Sequence, residues 1–161
     1  MENKRIFYYE NELEDEFSNA KIQAIKIDDN YKYFHHAWWN FCSFLVQNII
    51  SMPIKCFYAK GKFHLQFIGK EKLKQCKKTG YFIYANHTQE FADTFIPSLA
   101  NYPKRNFFIV NPENVSMKGL RTLVPLLGAI PIPSSIKSYQ NFLKSIKTHI
   151  HQKRSVTIYP E

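Results

Sequence analysis

Hydrophobic positions divide the chain into three regimes. Up to about residue 33, the apolar runs RIFYY and KIQAIKI flank an acidic stretch; they read as two short strands, or as one strand beside an irregular acidic arm. From Ala37 to Ile54 the run AWWNFCSFLVQNIISMPI carries no formal charge over eighteen residues. Beyond it, KFHLQFIG, GYFIYAN, RNFFIVN, GAIPIP and SVTIYP read as strands rich in Phe, Ile, Tyr and Val. Helical patterns lie between them, over Asp93 to Tyr102, Val115 to Leu127 and Ile136 to Gln152. In the last of these, Ile136, Tyr139, Phe142, Leu143, Ile146 and Ile150 recur at helical spacing. This alternation predicts an α/β fold with a mixed, largely parallel central sheet flanked by helices. The expected organisation is an acidic N-terminal arm over 1–33, a hydrophobic helix within 34–58, and an α/β domain over 59–161.

As a helix, the uncharged run is about 27 Å long at roughly 1.5 Å per residue, near the thickness of a bilayer's hydrocarbon core. Asn40, Ser43, Gln47, Asn48 and Ser51 fall along one side of it. Facing lipid, those amides and hydroxyls would lack partners, so a helix lying in or dipping into one leaflet suits the pattern better than a free span. Trp38 and Trp39 would then sit at headgroup level, with Lys55, Lys60 and Lys62 against anionic phosphates.

Length and charge sharpen this. A chain of 161 residues has room for one ordinary domain. Residues 1–33 hold 8 acidic and 5 basic side chains, a net of −3, whereas the remainder holds 5 acidic and 17 basic, a net of +12. A potential of that sign attracts phosphates, nucleic acid or an anionic membrane. Cys42, Cys56 and Cys76 have neither zinc-ligand nor disulfide-framework spacing, so no metal is expected and a reduced compartment fits. MENKRIFYY lacks the apolar core of a secretory signal, which points to the cytoplasmic side of a membrane.

His87 follows the run YFIYAN, at the end of a strand, where ligands of open α/β sheets bind. Its imidazole can take a proton near neutral pH, and Glu90 and Asp93 are both close enough in sequence to orient it. Asn86-His87, then Asp93, then GAIPIP after a helix, then VTIYPE come in an order that resembles the glycerolipid acyltransferases of the lysophosphatidic acid acyltransferase family, over roughly Phe63 to Glu161. The resemblance implies His87 as general base and Asp93 as its orienting acid, with Asn86, Thr88, Gly128, Pro160 and Glu161 contributing to substrate binding. It implies transfer of an acyl group from acyl-CoA or acyl-carrier protein to the hydroxyl of a lysophospholipid or glycerol phosphate, with no cofactor and no nucleic acid.

The chain departs from the family's pattern at three places. Five residues, not four, separate His87 from Asp93, so the pair can meet only if His87 lies in a turn before the helix. Pro133 and Ser134 stand where the family carries a phosphate-holding arginine, leaving Lys104, Arg105, Lys118, Arg121 and Lys137 as candidate substitutes. The sequence also stops at Glu161, within the family's Pro-Glu-Gly motif, so an incomplete and inactive acyltransferase is expected of the chain as given. Alternatives are an inactive lipid-binding protein of the same fold and a basic, aromatic-rich nucleic-acid module.

Overall fold

A computed structural model describes residues 24–87 and 92–160. Four strands, β1 (Tyr81–Tyr84), β2 (Asn106–Val110), β3 (Ala129–Pro131) and β4 (Ser155–Ile158), form one sheet in the order β1-β4-β2-β3. All three pairings are parallel, so the described sheet is parallel throughout rather than mixed. Five helices accompany it: α1 (Ala37–Leu45), α2 (Ser51–Phe63), α3 (Ile96–Asn101), α4 (Leu123–Leu126) and α5 (Ile136–His151).

The sequence pattern dictates most of this. The inner strands β2 and β4 are mostly buried, with apolar Phe107 and Val156 toward one face and polar Asn106, Ser155 and Thr157 toward the other, while edge strand β1 alternates between half-buried and exposed. The crossovers β1–α3–β2 and β3–α5–β4 run in opposite directions across the sheet, and right-handed connections put their helices on opposite faces. On the α5 face, Phe142 and Ile146 pack with Phe107, Ile130 and Val156. On the α3 face, Asn101 bonds to Ser155 and Tyr81, and Ser155 and Thr157 bond to Asn106, so every polar member of that buried layer has a partner.

Two expectations need correction. KFHLQFIG is not a strand: α2 runs through Phe63, its last turn carries Lys60 and Lys62 where cations suit the helix dipole, and His64 ends it in the left-handed conformation. Leu65 then docks on a small cluster of Met52, Ala59 and Leu99 instead of pairing with a neighbouring strand. The helix expected over Val115 to Leu127 shrinks to the single turn of α4, preceded by a 3-10 turn at Pro112–Val115. RIFYY lies outside the described residues. Residues 24–33 form no strand, yet Ile27 and Tyr33 are buried in the main core and Ser134 Oγ accepts the Ile27 N–H.

The hydrophobic segment folds as one helical run from Ala37 to Phe63, with a π-helical turn at Val46–Ile50 between α1 and α2. Pro53 lies just beyond; it has no N–H to give the preceding turn, and a widened turn accommodates the missing bond. No helix among the described residues is long and apolar enough to cross a membrane.

Gly128, the residue before β3, has φ +103°, and a Cβ there would lie 2.9 Å from both the Asn106 carbonyl oxygen and Gln47 Nε2. Gly128→Ala should therefore destabilise the fold by about 1–3 kcal/mol in urea denaturation, the cost of forcing a side chain into this conformation. A loss under a few tenths of a kcal/mol would show that the turn relaxes freely.

Candidate active site

In a parallel sheet every strand ends at the same edge, and here neighbouring β1 and β4 end in register, Tyr84 opposite Ile158. The ladder continues one residue further, with the Ala85 N–H donating to the Ile158 carbonyl at 3.2 Å. Past that bond the chains diverge as Asn86-His87 on one side and Tyr159-Pro160 on the other. His87 is in an irregular turn and Asp93 in the 3-10 turn Ala92–Thr94 that precedes α3. Pro97, whose ring disfavours regular helix upstream of it, sits at the start of α3 and keeps Asp93 out of it.

Across the five-residue spacing the two side chains meet, with Nδ1 3.1 Å from Oδ2. The Asp93 side chain is 4% exposed and that of His87 39%. A buried carboxylate accepts, so Nδ1 is the ring nitrogen that donates, and Nε2 is left as the basic one. Tyr159 completes the arrangement: its ring stacks on the imidazole with centroids 4.2 Å apart, and its hydroxyl donates to the Asp93 main-chain carbonyl at 2.5 Å. Burial, then the Asp93 charge, pushes the Tyr159 phenol above its ordinary range, so it stays protonated and keeps donating. A base, an acid that orients it and a ring that fixes its plane thus converge at the sheet's carboxyl edge. Such a group can take a proton from a substrate hydroxyl and later return it.

The other expected site residues divide. Asn86 and Pro160 are exposed beside His87 and Tyr159. Thr88, Glu90 and Glu161 lie outside the described residues. Gly128 is at the opposite, amino edge of the sheet, against Asn106 and Gln47, where it serves a turn. Of the five cations considered for phosphate, Lys104 donates to the carbonyls of Lys77, Thr79 and Lys153, and Arg105 to Gln47 and Ser43, both at that amino edge. Lys137 pairs with Asp29 at 3.5 Å. Lys118 and Arg121 are exposed in the connection leaving the carboxyl end of β2, with no hydrogen bond or ion pair to any described residue. Tyr159 is the residue that sequence reasoning passed over. Its signal was its place, directly before Pro-Glu and directly after an inner strand.

Histidine labelled with ¹⁵N should report His87 in its neutral form as the Nδ1–H tautomer, and Asp93→Asn should erase that bias. A wild-type Nε2–H tautomer would show that Asp93 does not orient the ring.

A family model described as Acyltransferase matches residues 64–161. No curated protein and no solved structure matches the chain.

Proposed function

This chain belongs to the glycerolipid acyltransferase family, and on that premise we propose that it moves a fatty acyl group from acyl-CoA or acyl-carrier protein to the hydroxyl of a lysophospholipid or glycerol phosphate. The observation that carries the reading is the His87–Asp93 pair at 3.1 Å on the carboxyl edge of the sheet. In this reaction His87 Nε2 takes the acceptor's hydroxyl proton as the oxygen attacks the thioester carbonyl. Asp93 stabilises the resulting imidazolium. The tetrahedral intermediate then expels the thiolate, which recovers the proton from His87, so the ester and the free thiol leave with all protons accounted for. We assign the acceptor's phosphate to Lys118 and Arg121, the two of the five candidate cations whose side chains bond to no described residue.

The helical run beside this site supports a position on the cytoplasmic face of an anionic membrane. Its polar stripe points inward: Ser43 and Gln47 are buried, with Ser43 Oγ donating to the Leu126 carbonyl and accepting from Arg105, and Lys55 is buried against Ser98. The surface turned outward carries Trp38, Phe41, Phe44, Ile49, Ile50, Ile54 and Phe57, all exposed. Each such side chain gains roughly 1.5–3 kcal/mol when withdrawn from water. Exposed lysines over residues 60–78 continue that surface with charge complementary to anionic headgroups. Tyr58, one residue past Phe57, contacts Phe95 at 5.9 Å, two positions from Asp93, so the apolar surface leads toward the catalytic edge.

In a form of the protein with measurable acyl transfer, His87→Ala should retain the native circular dichroism and lower that transfer by roughly 10² to 10⁴. Turnover within a few-fold of the parent would exclude His87 as the base. Independently, Ile54→Asp with Phe57→Asp should weaken co-sedimentation with phosphatidylserine-containing vesicles by more than roughly tenfold, since two apolar side chains and two added charges oppose insertion. Unchanged binding would place the membrane contact elsewhere.

A further inference from the structure

At the amino end of the inner strands, the edge opposite His87, lies a cavity of about 160 Å³ bounded by α1, α5 and the segment before α1. Its walls include two stacked ring pairs, His35 on Trp39 with centroids 4.5 Å apart and His149 on Phe107 at 3.8 Å. Arg154 Nη1 lies 2.9 Å from His149 Nδ1. A guanidinium only donates, so Nδ1 accepts, and the imidazole's own proton must sit on Nε2. Burial first, then Arg154 and Arg105, holds the His149 pKa down to about 3, so the ring stays neutral in that tautomer.

The charge here is unbalanced. Arg154 and Lys32 line the cavity, and Arg105 stands behind it: Arg154 and Arg105 lie 5.4 and 5.1 Å from the centroid of the same Phe107 ring. No carboxylate among the described residues lines the cavity or forms an ion pair with either arginine. Burial lowers the pKa of both guanidiniums, with Arg154 adding to the effect on Arg105. Half-buried cations side by side without a counter-charge are costly, and a bound anion relieves that cost. The volume sets the size of the rest of the ligand, because an apolar cavity of roughly 150 Å³ accepts a benzene ring.

We propose that this cavity is a second ligand site, separate from the His87 edge, which takes a compact aromatic anion: an aryl phosphate or aryl carboxylate with its ring beside the stacked pairs and its charge on Arg154. The ring gains from aromatic walls, and the anion gains from the Arg154 guanidinium. The occupant bridges α1 to α5.

Trp39 is a built-in reporter, since Trp38 is the other of two tryptophans and Trp38→Phe leaves it alone. In that background the full chain in detergent micelles is titrated with phenyl phosphate, inorganic phosphate and benzyl alcohol. Phenyl phosphate should change Trp39 emission saturably, at a concentration at least roughly tenfold below either partial mimic, as expected when charge and ring both contribute. Arg154→Gln should weaken it by about tenfold or more. Thr148→Phe, which fills the cavity and keeps both Arg154 and His149, should abolish it. His87→Ala should leave it unchanged. The proposal falls if benzyl alcohol binds as well as phenyl phosphate, if Thr148→Phe has no effect, or if His87→Ala removes the signal, since the anion would then be held at the catalytic edge.

Discussion

The edge that carries His87 depends on one constraint, the parallel pairing of β1 with β4. These strands are separated by more than seventy residues in sequence, yet Tyr81 lies opposite Ser155 and Tyr84 opposite Ile158. Because the period of a strand is two, a slip of one residue would turn Tyr159 away from His87 and release the Asp93 carbonyl. Register is protected from below. Ser155 and Thr157 both bond to Asn106, and Ser155 also bonds to Asn101 of α3, so a shifted β4 would strand several buried polar groups at once. The polar layer under α3 thus keeps a histidine and a tyrosine on separate strands in contact.

How much of this was legible depended on whether a property is local. GYFIYAN, RNFFIVN, GAIPIP and SVTIYP each contain a strand, and each is visible in the sequence as a short run rich in aromatic and β-branched residues with apolar positions recurring along it. KFHLQFIG shows a similar run, but helix α2 extends into it and none of the described strands pairs with it. The order of His87 and Asp93 was readable, and so was the need for His87 to lie in a turn before the helix; the contact itself was not, because it depends on where α3 begins. Gly128 shows the limit clearly. Its motif placed it near substrate, but a strand has two ends, and only the assembled sheet shows that this glycine precedes β3 at the end away from His87.

The helical run from Ala37 to Phe63 turns the usual logic of amphipathic helices around. Its polar side chains were visible as a stripe, but the stripe's direction was not, since its partners Arg105 and Leu126 are 62 and 83 residues away from Ser43. In water such a helix would bury its apolar side. Here the polar side is the one that is satisfied within the protein, and the apolar side remains outside. Arg105 sits at the centre of this inversion: it anchors the helix through Ser43 and Gln47, and its position over Phe107 adds to the positive field behind the amino-edge cavity.

The separation between Ser43 and its partners also orders events in time. During synthesis at roughly 5–20 residues per second, Arg105 follows Ser43 by about 3–12 seconds. The helix ends at Phe63, 42 residues before Arg105, so for about 2–8 seconds its apolar side is complete while the groups that will satisfy its polar side have yet to be made. Any surface able to receive that apolar side meets the nascent chain before β2, β3 or β4 has been made. A helix received in that way would have the sheet assembled onto it, and the route to the native state would then follow translation order as well as the final contacts.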